Sequence, residues 1–355
     1  MPLKILVTGG SGFIGSAVVR EIIRNTEHSV LNLDALTYAA TPEAIEECAS
    51  SERYAFVQAD IRDKDRVARI VHDFTPDRIM HLAAESHVDR SIDGPGAFVE
   101  TNVLGTFNML QAALGYWTSL DESGKKSFLF HHISTDEVFG SLSMSDPEFT
   151  EETAYSPNSP YSASKASSDH FVRAWFETYG LPTVVSNCSN NYGPWQHPEK
   201  LIPTVIVKAL RNEPIPVYGK GENVRDWLFV EDHAGALLEV LEHGRAGGTY
   251  NIGGLSERRN IDVVREICKI MDRLRPGGGP HDRLITFVAD RPGHDLRYAV
   301  SIDHIKKELN WAPQQSFESG LEKTVAWYLD QEDWWSGIAD GKRLGLSSSA
   351  ENKDK

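Results

Sequence analysis

Short apolar runs alternate with amphipathic stretches from the N-terminus to about residue 188. "KILVTG" (4–9), "SVLNLD" (29–34), "YAFVQAD" (54–60), "DRIMHLAA" (77–84), "SFLFHHIS" (127–134) and "TVVSNCS" (183–189) read as strands. Strands this apolar, separated by segments of helical period, predict a parallel sheet covered on both faces. Beyond Asn190 proline and glycine become frequent, as in "NNYGPWQHPEKLIP", "NEPIPVYGKGEN" and "RPGGGP", and helical patterns are interleaved with long loops. "DWLFVEDHAGALLEVLEHG" and "GTYNIGG" read as a helix and a strand that return to the first unit. The expected first domain is therefore discontinuous, 1–188 plus about 226–254. A second covers about 189–225 plus 255–330, and 331–355 is expected to be a tail, polar at its "GLSSSAENKDK" end.

Composition narrows the class. The chain has 355 residues, 40% hydrophobic and 25% charged, enough for about two ordinary globular domains. The net charge of -15 argues against a nucleic-acid groove, so an anionic ligand needs a local Arg and Lys cluster. The three cysteines, Cys48, Cys188 and Cys268, lie far apart without CxxC spacing. That disfavours a disulfide framework or a zinc site and suits a reducing cytoplasm. No apolar run approaches the ~20 residues of a membrane span. His131 and His132 alternate faces on a strand, cannot share one metal, and are expected to pack; no metal site is expected.

"ILVTGGSGFIGS" sets Gly10, Gly12 and Gly15 as GxGxxG between a strand and a helix. Such glycines permit a tight turn, close approach to a pyrophosphate and close helix–strand packing, with the anion on the helix N-terminus. Asp34 ends the next strand, 19 residues after Gly15, where a carboxylate accepts ribose hydroxyls and repels a 2′-phosphate. NAD is thus preferred over NADP. The fold class is α/β: a Rossmann-type doubly wound parallel sheet with a smaller, loop-rich α/β substrate domain. Cofactor contacts are expected at Gly9, Gly10, Gly12, Phe13, Ile14 and Gly15, then at Asp34, Ala35, Leu36 and Thr37. Further strand ends supply Asp60, Ile61, Leu82, Ala83, Ala84 and Ser86. Thr101 in "TNVLGT" either faces the nicotinamide side or caps the turn.

"YSASK" places Tyr161 and Lys165 on one face of a helix that Pro160 opens. With a pKa of about 10, tyrosine is a poor base at neutral pH. A nearby ammonium and the nicotinamide charge favour the phenolate. "STDEVFG" adds adjacent acids, Asp136 and Glu137, at a strand mouth, and two acids this close split their pKa values.

Here the chain resembles the extended short-chain dehydrogenase/reductase family. Within it, the resemblance is to the nucleoside-diphosphate-glucose 4,6-dehydratases, those acting on dTDP-glucose above all. It runs from residue 4 to about 330, carried by "TGGSGFIGS", "DALTYA", "HLAAESHVDRSI", "STDEVFG", "YSASKASSDH", "NNYGP", "PEKLIP", "PVYGKGENVRDWLFVEDH" and "ADRPGHD". The resemblance implies an NAD-dependent hydro-lyase. Thr135 and Tyr161 would meet the sugar C4 hydroxyl, Asp136 would be the general acid, Glu137 the general base, and Lys165 would complete the catalytic set. It assigns Asn191 to the cofactor side. It places substrate contacts at Ser86, Thr135, Asn190, Lys200, Leu201, Pro216, Val217, Tyr218, Arg225, Asn260, Asp290, Arg291 and His294. Arg225 and Lys200 suit a diphosphate.

Three rivals remain. A 4-epimerase or decarboxylase of the same fold would leave Asp136 and Glu137 without work. A non-catalytic NAD-sensing module would have no use for Tyr161 and Lys165. A homodimer is expected, because the helical patterns at 96–114 and 161–179 carry Phe98, Val99, Leu104, Phe107, Phe171, Val172, Trp175 and Phe176, more apolar side chains than one sheet face needs.

Overall fold

The computed structural model describes residues 2–277 and 279–339. Its strands, in chain order, are β1 (Lys4–Thr8), β2 (Ser29–Asp34), β3 (Tyr54–Gln58), β4 (Arg78–His81), β5 (Leu129–Thr135) and β6 (Thr183–Cys188). Then follow β7 (Asn190–Tyr192), β8 (Ile215–Tyr218), β9 (Val224–Phe229), β10 (Thr249–Ile252), β11 (Glu257–Arg259) and β12 (Ile285–Val288). Seven of them form one parallel sheet in the order β10-β6-β5-β4-β1-β2-β3. The chain winds outward from β1 to β3, then restarts at β4 on the other side. The crevice between β1 and β4 is the reversal point at which such sheets hold ligands.

Alternation along β1 explains why both sheet faces are dry. Ile5 and Val7 join a core with Val18, Ile22, Leu237 and Val240 from the helices Phe13–Asn25 and Val230–His243. Leu6 points the other way, into a core with Val67, Met109, Leu110, Val172 and Trp175. β5 and β6 are buried at every position, as central strands covered on both faces must be.

The second unit carries the three-stranded sheet β11-β9-β7 and the pair β12-β8. Helices Leu201–Leu210, Asn260–Leu274 and Phe317–Asp330 close over a core that includes Ile206, Ile267, Leu321 and Tyr328.

The packing redraws the expected boundaries in three places. β9, which includes residues 226–229, stays in the three-stranded sheet, so the return to the first unit begins with the helix at Val230. Ile302 and Ile305, from a stretch expected in the second unit, pack in the first core beside β10. The expected tail from 331 opens as a helix, Glu332–Ala339, with Trp334 and Trp335 buried in the second core. A helix that buries two indoles gains several kcal/mol of transfer free energy, roughly 1.5–3 for each large apolar side chain, which a solvated tail would forgo. The "GLSSSAENKDK" stretch lies outside the described residues. Among those described, no helix is long and apolar enough to cross a membrane.

Candidate active site

A cavity of about 370 Å³ runs along the C-terminal ends of the large sheet. At one end the turn after β1 reverses the chain at Gly9, whose φ of +73° is left-handed, and its amide donates to the Leu33 carbonyl at 2.9 Å. A Cβ on Gly15 would lie 2.0 Å from the Gly9 carbonyl oxygen, so only glycine lets the helix start this close to the turn. Gly12 has only that carbonyl nearby, at 3.2 Å, and lines the cavity at the helix N-terminus. Asp34 sits across the turn, held by the amides of Ser11 at 2.9 Å and Leu36 at 2.8 Å. Burial pushes the Asp34 carboxyl up, and those two amides pull it back.

Phe13, Ile14, Ala35, Thr37, Asp60, Ile61, Leu82, Ala83, Ala84, Ser86, Thr101 and Asn191 continue the same wall. Two expected cofactor residues do not face it. Gly10 packs on the Asn32 side chain, and Leu36 offers its amide to Asp34 from a left-handed backbone with φ of +53°. An open glycine turn on a helix N-terminus, with a carboxylate at the next strand end, fits a dinucleotide.

At the other end of the cavity β5 delivers Thr135, Asp136 and Glu137, and the helix Pro160–Tyr179 delivers Tyr161 and Lys165. Asp136 is 1% exposed, with Oδ2 unpartnered. Burial, then Glu137 and Asp226, drive its carboxyl well above the usual range. Burial also raises Glu137, but Arg225, Arg291 and Lys200 oppose the rise. Both carboxyls are raised, Asp136 the more strongly and Glu137 against three opposing cations, which is the direction in which an acid–base pair divides.

The lysine reaches back to the strand beneath it. Lys165 Nζ donates to the Ile133 carbonyl at 2.8 Å, and burial lowers its pKa. Burial, Glu137 and Cys188 push the Tyr161 phenol well above its ordinary value, so the protein's own groups keep it protonated at neutral pH.

The chain matches the family described as GDP-mannose 4,6 dehydratase over residues 6–324. It is 59% identical over 347 residues to the dTDP-glucose 4,6-dehydratase of Shigella flexneri, covering 96% of each chain. The chain belongs to the sugar-nucleotide 4,6-dehydratases. Among solved structures, the Streptomyces venezuelae dTDP-glucose 4,6-dehydratase with NAD and dTDP bound matches with a TM-score of 0.86 and 42% identity, over 95% of this chain and 100% of that one. A Thermus thermophilus UDP-glucose 4-epimerase with NAD matches at 0.80 and 28% identity, over 93% and 100%. The fold is shared with epimerases; the acid pair has to carry the distinction.

The substrate residues that the dehydratase resemblance implies are only partly gathered. Ser86, Thr135, Asn190 and Lys200 line the cavity, and Lys200 Nζ donates to the Ser86 carbonyl at 3.0 Å. Leu201 opens its helix and packs against the second core. On β8, Pro216 and Tyr218 face out while Val217 is 2% exposed and belongs to the core, as strand alternation requires. Arg225, expected at a diphosphate, is turned inward. It donates to the carbonyls of Val224 at 2.7 Å and Asp295 at 3.0 Å and lies 4.2 Å from the Tyr298 ring centroid. Arg291 pairs with Asp89 at 3.3 Å, and His294 with Asp290 at 2.6 Å. The buried Asn260 Oδ1 and Arg291 Nε lack partners.

Two further residues escaped the motif reading. Asn102 exchanges hydrogen bonds with the Glu85 backbone (2.8 and 2.9 Å) and donates to Ser164 Oγ at 2.9 Å, tying the loop after β4 to the catalytic helix. Asp169 lies one helical turn beyond Lys165, buried against β5. Its 4 + 4 spacing from Tyr161 was the available signal.

Proposed function

We propose that the chain is an NAD-dependent dTDP-glucose 4,6-dehydratase, a hydro-lyase giving the 4-keto-6-deoxy sugar nucleotide. One observation carries the reading: a single cavity joins the glycine turn and Asp34 to Tyr161 and to two adjacent carboxyls whose protonation preferences differ. Asp34, Gly12 and the helix beginning at Phe13 would hold NAD, which supplies hydride acceptance at sugar C4 and its return at C6.

The chain's own groups handle the protons. Tyr161, beside Thr135, takes the C4 hydroxyl proton in its phenolate form, having first given up its own proton to solvent. The resulting ketone acidifies the C5 proton, inert until then. Ionised Glu137 removes it, and neutral Asp136 protonates the C6 hydroxyl, which leaves as water. An epimerase needs no such pair. The division of labour follows: 1–188 with 230–254 hold the cofactor, and the second unit supplies the sugar-nucleotide side.

Because the cofactor ends each cycle in its starting state, the purified protein is expected to turn over without added NAD. The test is a panel of nucleoside-diphosphate glucoses scored for the ultraviolet-absorbing keto product, and dTDP-glucose is expected to lead. Stoichiometric consumption of added NAD, with the reduced cofactor accumulating, would overturn the scheme.

The protein is expected to be a cytoplasmic homodimer. Its three cysteines are free and buried, as in a reducing compartment. Of the apolar residues on the two interface helices, Phe98, Val172 and Trp175 serve the subunit's own core. Val99 and Leu104 remain 50% and 52% exposed, and Phe171 36%. Two copies would cover this patch across a two-fold axis. Light scattering should give twice the chain mass at micromolar concentration, and Leu104→Glu should shift it toward monomer.

A further inference from the structure

Beneath the catalytic floor lies a layer of buried polar groups that the proposed chemistry does not use. Ser134 Oγ donates to Asp169 Oδ2 at 2.7 Å, the Tyr155 hydroxyl donates to the same oxygen at 3.0 Å, and Asn187 Nδ2 approaches it at 3.4 Å. His132 Nε2 lies 3.1 Å from Asp169 Oδ1. Asp169 and Lys165 are 4% and 5% exposed, one helical turn apart on the same face. The two side chains meet consecutive residues of β5: Lys165 Nζ donates to the Ile133 carbonyl, while Asp169 accepts from Ser134.

An isolated ammonium in such a place would be driven toward neutrality, because a low-dielectric interior disfavours an unpaired charge. We infer that Asp169 is a positioning residue for the reaction: its fixed carboxylate, buried one helical turn from Lys165 on the same face, keeps that ammonium charged where the Ile133 carbonyl holds it beneath Tyr161. The inference rests on the dehydratase reading above.

The groups facing this pair leave it the charge-bearing couple. His132 on β5 is lowered to about 4 and His81 on β4 well below its usual value, both chiefly by burial, so both are neutral at working pH. Cys188 on β6 is pushed up to about 12, and Tyr155 and Tyr161 are also raised. Burial pushes Asp169 up, but His132, Lys165 and Ser134 outweigh it and hold the carboxyl below the ordinary range. Burial lowers Lys165 first, and Asp169 is the largest opposing influence.

Asp169→Asn keeps the size of the side chain and removes the charge. Lys165 should then lose its proton at lower pH, by about 1–3 pH units. The step to follow is C4 oxidation in a single turnover, which precedes any demand on Asp136. Its alkaline limb should move down by that amount, and at pH 9 the rate should fall about tenfold or more.

A second readout needs no turnover. The melting-temperature gap between wild type and Asp169→Asn should be widest near pH 7. It should close as pH rises toward the unfolded lysine pKa of ~10.4, because the unpaired buried ammonium is then neutral in both states. Ser134→Ala and Tyr155→Phe remove hydrogen bonds but no charge, and should leave both profiles in place.

A pH-independent stability gap, with an unmoved alkaline limb, would reduce Asp169 to a packing role. Should Asp169→Asn fail to fold, Asp169→Ser, also uncharged, decides: an alkaline limb moved down supports the assignment and a wild-type limb overturns it. Inactive wild type on every sugar nucleotide would instead sink the dehydratase reading, while the melting profiles would still test the pair.

Discussion

Replacing Tyr161 with Phe is expected to stop C4 oxidation while leaving the fold in place. Tyr161 is held by a well-built helix start. Pro160 sits at the first position, and Ser159 and Ser162 cap each other's backbone amides at 3.0 Å. Its ring packs edge-on to Phe98 at 6.3 Å, a contact that Phe preserves. The change removes one oxygen at the cavity, and with it the group that takes the C4 proton. Loss of a general base costs about 10²–10⁴-fold.

Burial, Glu137 and Cys188 hold the phenol above its ordinary pKa. The wild-type oxidation rate should therefore rise with pH as the phenolate fraction grows, up to the alkaline limb that Lys165 sets, and the variant should lose that rise. Rapid mixing with substrate, read in the absorbance band of reduced cofactor, checks both points. Oxidation within tenfold of wild type would remove Tyr161 from the proton path.

Much of this site was legible because its parts are local. A strand, a glycine turn and a helix N-terminus occupy a dozen consecutive residues in "ILVTGGSGFIGS", and "YSASK" is one turn of helix. The motifs converge because every strand of the large sheet ends at the same edge. What stayed hidden depends on partners distant in the chain. Ile305 joins the first core only because its helix meets β10, and Trp335 is buried only because Tyr328 and the second core receive it; its indole donates to the Tyr328 carbonyl at 2.9 Å. Arg225 reads as a diphosphate ligand by residue type, but its guanidinium donates to the carbonyls of Val224 and of Asp295, the latter 70 residues away in the chain. Spacing puts Lys165 on the Tyr161 face of the helix, and only the folded chain shows that the Ile133 carbonyl of β5 receives its ammonium.

The acid pair makes the second large prediction, because two neighbouring carboxyls are assigned opposite jobs. Burial already excludes a solvated turn: Asp136 is 1% exposed at the head of the short helix Asp136–Phe139. Glu137→Gln keeps size and hydrogen bonding but cannot accept the C5 proton. Asp136→Asn cannot donate to the C6 hydroxyl. Each is expected to lower turnover by about 10²–10⁴-fold while C4 oxidation survives, so reduced cofactor should appear and persist in both. With substrate deuterated at C4, wild-type product should carry that deuterium at C6 and a solvent hydrogen at C5.

The pH dependence follows from the directions. Glu137 works ionised, so turnover falls as pH drops through its raised pKa. Asp136 works protonated, so turnover falls as pH climbs through its own, which is raised further. Weakening the cationic surroundings of Glu137 by Lys200→Met should move the acid limb upward, since Lys200 is one of the charges opposing the rise. Exchange of the C4 label into solvent would show that the hydride returned at C6 is not the one removed. Near wild-type turnover in both carboxyl variants would take Asp136 and Glu137 out of the elimination.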